Sequence, residues 1–121
     1  MNLTDQLHHN SKARNWKKYW TRTIKSFLGK DTLEVGSGEG ANIKYLIAGN
    51  VIENLTSLEP NNKFFEKLKK NIKFKKIKIT KLKKKIHDLD RKKKYDCIVY
   101  ADVLEHIKKD KSEIVFASKY L

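Results

Sequence analysis

Cysteine occurs once, at Cys97, so no disulfide framework supports this chain, and a reducing, cytoplasmic setting is expected. Long apolar stretches are also missing. The run Cys97-Ile98-Val99-Tyr100-Ala101 is far short of the ~20 residues that span a bilayer, which excludes a transmembrane helix. The segment Met1-Asn2-Leu3-Thr4-Asp5-Gln6 lacks the basic-then-apolar order of a secretory signal. Arginine is scarce, with three against 25 lysines, and acidic residues number 14 against 28 basic ones, a formal net charge of +14. With 121 residues, 39% hydrophobic and 35% charged, the chain has room for one domain with a modest core.

The charge is unevenly placed. Between Lys63 and Lys94 stand 16 basic residues and three acidic ones (Glu66, Asp88 and Asp90), so nearly all of the excess lies in this stretch. Such a stretch can bind nucleic acid weakly and without sequence preference. Proteins that read phosphates and bases rely on arginine forks, however, and these cations are almost all lysine. A solvated lysine-rich face is the expected reading, and a nucleic-acid-binding module is kept as an alternative.

Along the chain, the polar residues 1–14 are expected to form a flexible arm; the pair His8-His9 has no further ligands at metal-binding spacing. Trp16, Tyr19, Trp20, Ile24, Phe27 and Leu28 recur at helical spacing, with Lys17, Lys18, Arg22 and Lys25 opposite, so Asn15 to Leu28 reads as an amphipathic helix packed on its own domain and stopped by Gly29. Thr32 to Val35 is a short buried strand, Gly36 to Gly40 a glycine loop, and Ala41 to Ala48 a helix. The pattern then repeats. Leu55 to Leu58 reads as a strand and Asn61 to Ile72 as a helix with Phe64, Phe65, Leu68 and Ile72 on one face. Lys76 to Thr80 alternates like a half-buried or edge strand, and Tyr95 to Tyr100 is the strongest strand pattern. Asp110 with Glu113 has the form of a capping box before a helix carrying Ile114, Ala117 and Leu121. Strands alternating with helices imply a parallel α/β sheet with right-handed crossovers over residues 15–121.

A glycine loop between strand and helix lets backbone approach a ligand closely, and Glu59, at the end of the next strand, stands 19 positions after Gly40, where a carboxylate can accept from both hydroxyls of a ribose. Together they indicate a nucleoside cofactor. Gly36, Gly38 and Ala41 also satisfy the spacing of the dinucleotide fingerprint, so these residues fit a nicotinamide-dependent oxidoreductase as well.

Three motifs carry a resemblance that separates the two. Leu33-Glu34-Val35-Gly36-Ser37-Gly38-Glu39-Gly40 is similar to the first motif of class I S-adenosylmethionine-dependent methyltransferases, and Leu58-Glu59-Pro60 resembles their second. Tyr95 to Ile107, with Val103-Leu104-Glu105-His106 after the strand, resembles the strand-four segment of the small-molecule branch. The resemblance covers about residues 15–121 and implies a Rossmann-like sheet in the order 3-2-1-4. Through it, Gly36, Ser37, Gly38 and Gly40 would wrap the amino-acid part of S-adenosyl-L-methionine, Glu34 would engage its amino group, and Glu59 with Pro60 would hold the ribose side. Asp102, Val103 and Leu104 would line the methionine side, and His106 is the candidate proton acceptor near the methyl-transfer mouth. The family's acidic residue after strand three, which meets the adenine amino group, has no counterpart in Leu82-Lys83-Lys84-Lys85, and Asp88 is the nearest candidate. Family members continue into about three more strands of a seven-stranded fold. The sheet is therefore expected to be incomplete at Leu121, with strand four as an edge open to self-association or to a completing chain. The methyl acceptor implied is a small molecule.

Overall fold

The computed structural model describes residues 3–71, 76–101 and 107–121. A helix α1 (Leu3–Ile24) runs through a 3-10 turn (Lys25–Phe27) into β1 (Asp31–Val35); α2 (Ile43–Ile47), β2 (Asn54–Leu58), α3 (Asn62–Asn71), β3 (Lys78–Leu82), a second 3-10 turn (Ile86–Asp88), β4 (Cys97–Tyr100) and α4 (Asp110–Ser118) follow. All described strand pairs are parallel, in the order β3-β2-β1-β4, as expected from the alternation of strands and helices. Glu34 pairs in register with Ser57 on one side and Val99 on the other, so β1 is central and β4 lies at an edge.

Period-two alternation sends the two faces of the sheet to two cores. Leu55 and Val99 join Leu28, Ile43, Leu46, Ile47, Ile52 and Leu68 beneath the first three helices. Leu33, Val35 and Leu58 pack instead with Ile86, Leu89, Tyr95, Ala117 and Tyr120, beneath the second 3-10 turn and α4. Tyr120 is fully buried, and its hydroxyl donates to the carbonyls of Ile86 and Leu89, tying the end of α4 to the segment after β3.

Several boundaries differ from the sequence reading. The first helix begins at Leu3, because no glycine or proline interrupts the chain before Gly29, and so extends back through most of residues 1–14. Only part of its aromatic stripe is covered: Trp20 and Ile24 pack on the core and Leu28 is buried, whereas Trp16 and Tyr19 stack on each other in solvent and Phe27 is exposed. Strand β3 starts two residues later than the lysine-isoleucine alternation suggested. It pairs Leu82 with Leu58 and brings Lys83 to Lys85 directly to its end. The expected capping box at Asp110 does not form. Lys109 is the N-cap, Asp110 accepts from the Lys111 N–H, and Glu113 accepts from the Tyr100 hydroxyl, a tertiary partner that local spacing cannot reveal. Ile72 lies outside the described residues.

Gly29 is needed for close approach. A Cβ there would overlap the Asp96 side chain, whose Oδ2 accepts from the Asp31 N–H at 3.0 Å where β1 begins. Gly29→Ala is expected to lower stability by about 1–3 kcal/mol, the usual cost of overpacking, read as a lower urea midpoint with an unchanged m-value.

Candidate functional site

Beyond Val35 the chain turns sharply through glycines with left-handed backbone, φ being 75° at Gly36, 58° at Gly38 and 91° at Gly40. The turn is anchored to the neighbouring strand: the N–H groups of Gly36 and Ser37 both donate to the Leu58 carbonyl, at 2.9 and 2.8 Å. Glu59, at the end of β2, holds it from the other side. Its Oε1 accepts from the Gly38 N–H and its Oε2 from the Asn61 N–H, each at 2.8 Å, and the residue is buried. The glycine motif and the Leu58-Glu59-Pro60 motif are therefore one structural unit.

Glu34 is the less satisfied carboxylate. Its residue is 1% exposed, one oxygen accepts a long hydrogen bond from Ser57 at 3.4 Å, and Oε2 has no hydrogen-bond partner. The Ser37 hydroxyl, buried beside the same carboxyl, makes no hydrogen bond of good geometry. Burial pushes the Glu34 carboxyl above the ordinary carboxylate range, and the Ser37 and Ser57 hydroxyls with the Lys17 ammonium offset only part of that. An anionic oxygen kept from water without a donor is costly, and such groups mark places where a cationic or hydrogen-bonding ligand belongs.

On the α4 side of the loop, a cavity of about 350 Å³ opens at the C-terminal ends of the strands, the usual ligand position in an open parallel sheet. Val35, Gly36, Pro60, Ile86 and Ile107 supply its apolar walls and backbone, and Lys84, Lys85, His87 and Glu113 its polar groups. Among the sequence-predicted residues, Gly36 and Pro60 line this cavity, whereas Glu34, Ser37, Gly38 and Glu59 cluster at the glycine loop beside it. Gly40 leads from the loop towards α2, its carbonyl accepting from the Ile43 N–H at 3.2 Å. Asp88 is exposed on the 3-10 turn, where its carboxylate accepts from the Lys85 N–H at 3.4 Å, and it is not among the cavity-lining residues. Asp102, Val103, Leu104, Glu105 and His106 lie outside the described residues.

Sequence reasoning missed Glu113, Tyr100 and His87. The Glu113 carboxylate receives the Tyr100 hydroxyl at 2.9 Å and stands 3.6 Å from His87 Nε2, while the His87 ring stacks on Phe116 at 4.2 Å. Burial and the adjacent carboxylate both push the Tyr100 phenol well above its ordinary range, so it remains a donor. These residues come from three separate elements, so no local spacing connects them.

The methyltransferase-domain family matches residues 33–118, from the core of β1 to the end of α4. The chain belongs to this family. No curated protein matches it. Among solved structures, the cyclopropane synthase MmaA2 from Mycobacterium tuberculosis is 20% identical with a TM-score of 0.71, over 92% of this chain and 40% of that one. Magnesium protoporphyrin IX methyltransferase (ChlM) from Synechocystis PCC 6803 with bound SAH is 15% identical, with a TM-score of 0.70, over 99% of this chain and 56% of that one. The plantazolicin methyltransferase BpumL in complex with SAH is 16% identical, with a TM-score of 0.64, over 87% and 40%. This methyltransferase-family chain thus spans between 40% and 56% of these proteins' lengths. The shared fold is a parallel sheet whose order, 3-2-1-4, is that of the Rossmann-like half expected from the motifs.

Proposed function

We propose that the chain binds S-adenosyl-L-methionine and serves methyl transfer to a small-molecule acceptor. The observation that carries this reading is a pair of buried groups without a well-formed hydrogen bond, Glu34 Oε2 and the Ser37 hydroxyl, at a glycine loop that borders an apolar-walled cavity. A nucleoside joined to an amino acid suits that combination. Its ammonium group would neutralise Glu34, its hydroxyls would share the Glu59 carboxylate, whose oxygens each keep a second lone pair, and its base would enter the cavity. Bound SAH in ChlM and BpumL supports the same ligand class for this chain. The small-molecule acceptor is favoured by the plantazolicin and magnesium protoporphyrin IX methyltransferases among its neighbours.

When bound, the cofactor supplies a methyl group already activated on a sulfonium sulfur, so the protein's work is to bind, align and exclude water. Glu34, the Ser37 hydroxyl and Glu59 fix the ligand relative to the end of β1, and Pro60, Ile86 and Ile107 keep the cavity apolar. Where the acceptor must lose a proton, His106 is the proposed acceptor of it, imidazole being the side chain most often used for proton transfer near neutral pH.

Titration calorimetry tests the reading. S-adenosylmethionine or SAH should bind saturably and NAD should not. A preference for NAD would transfer the glycine loop to the dinucleotide-binding class and end this proposal.

A further inference from the structure

We propose that Glu113, on α4, recognises the exocyclic amino group of the bound base. The family resemblance assigns that contact to an acidic residue after strand three, where this chain carries Lys83, Lys84 and Lys85. The structure supplies a carboxylate from another direction. Glu113 is the only carboxylate among the described residues lining the cavity, and its side chain is 11% exposed. Its Oε1 is occupied by the Tyr100 hydroxyl at 2.9 Å, which fixes the group's orientation. Its Oε2 stands 3.6 Å from His87 Nε2, ion-pair distance but too long for a hydrogen bond, and so has lone pairs left for a donor from a ligand.

The surroundings favour a flat heteroaromatic amine. Val35, Pro60, Ile86 and Ile107 provide apolar walls in a space of about 350 Å³, and a carboxylate can only accept, so it selects an N–H donor over a carbonyl. Lys84 and Lys85 on the same lining have the opposite preference, being donors that would suit a carbonyl oxygen. Tyr100 steadies the carboxylate without reaching the ligand, which makes it a positioning residue. The assignment rests on the proposed nucleoside cofactor, and it states which atom of the base this chain reads and from which helix.

The test compares S-adenosylhomocysteine with S-inosylhomocysteine, in which a carbonyl replaces the amino group, by calorimetry on the full chain. The wild-type protein should bind the adenosyl ligand at least about tenfold more tightly, the range expected for a hydrogen bond to a charged group. In Glu113→Gln, whose amide both donates and accepts, the ratio should fall to within about threefold. Tyr100→Phe, which leaves the carboxylate in place but free to turn, should reduce the ratio by a smaller factor, and it carries the test if Glu113→Gln does not fold. Adenosyl binding with a ratio unchanged in the folded variants overturns the Glu113 assignment alone. A wild-type preference for the inosyl ligand also overturns it, pointing to Lys84 and Lys85. Failure of the wild-type chain to bind either ligand overturns the functional reading and this assignment together.

Discussion

Glu34→Gln is expected to make the protein more stable at pH 7 and a weaker ligand binder at once. The carboxyl is buried, one of its oxygens lacks a well-formed hydrogen bond, and burial raises its pKa in the folded state. Between the ordinary carboxylate pKa of about 4.3 and the raised folded value, the folded chain binds more protons than the unfolded one, so stability declines as pH rises through that window and levels off above it. Glutamine removes both the charge and the titration. Melting curves should therefore show a flatter pH profile for the variant and a gain of about 1–3 kcal/mol at neutral pH, the scale of an unsatisfied buried polar group. Affinity for S-adenosylmethionine should fall by about tenfold or more, because the ligand's ammonium group loses its counter-ion. A variant that is less stable at pH 7 would show that Glu34 is a structural acid satisfied in solution, and the strongest mark of the site would be lost.

Gly38→Val should abolish cofactor binding while costing only a moderate amount of stability. The backbone at Gly38 is left-handed, with φ at 58°, and a Cβ built there meets no atom within 4 Å. Space is therefore available in the ligand-free protein, and the cost of folding is conformational: about 1–2 kcal/mol for an L-residue in this region, with a β-branched side chain towards the upper end. The open space beside the Gly38 N–H is where the ligand is proposed to meet the loop, and the valine methyls would fill it. Calorimetry should show no binding by a protein whose circular dichroism spectrum is unchanged. Normal affinity in the folded variant would remove Gly38 from the site.

Much of this was legible in the chain because the relevant signals are local. Leu33 with Val35 and Leu55 with Leu58 mark two short strands, the glycines between Val35 and Ala41 demand a turn, and the period changes to helical after each strand. Parallel order follows from that alternation and from the handedness of crossovers, and the observed order agrees. The same local rules misplace the start of α1 and the register of β3, where lysine side chains dilute the apolar pattern, and they assign Glu113 to a cap that does not form.

The sequence by itself thus determined the alternating α/β order, the glycine turn with its two carboxylates, and the concentration of positive charge between Lys63 and Lys94. Each of these depends on residues close in the chain or on composition alone. Only the tertiary structure decided that Glu59 closes onto the Gly38 N–H, that one oxygen of Glu34 is left without a well-formed hydrogen bond, and that Tyr100 and His87 both approach Glu113, which lines the cavity. Those facts depend on which side chains the crossovers bring together, and on how much water the packed sheet excludes from each carboxylate.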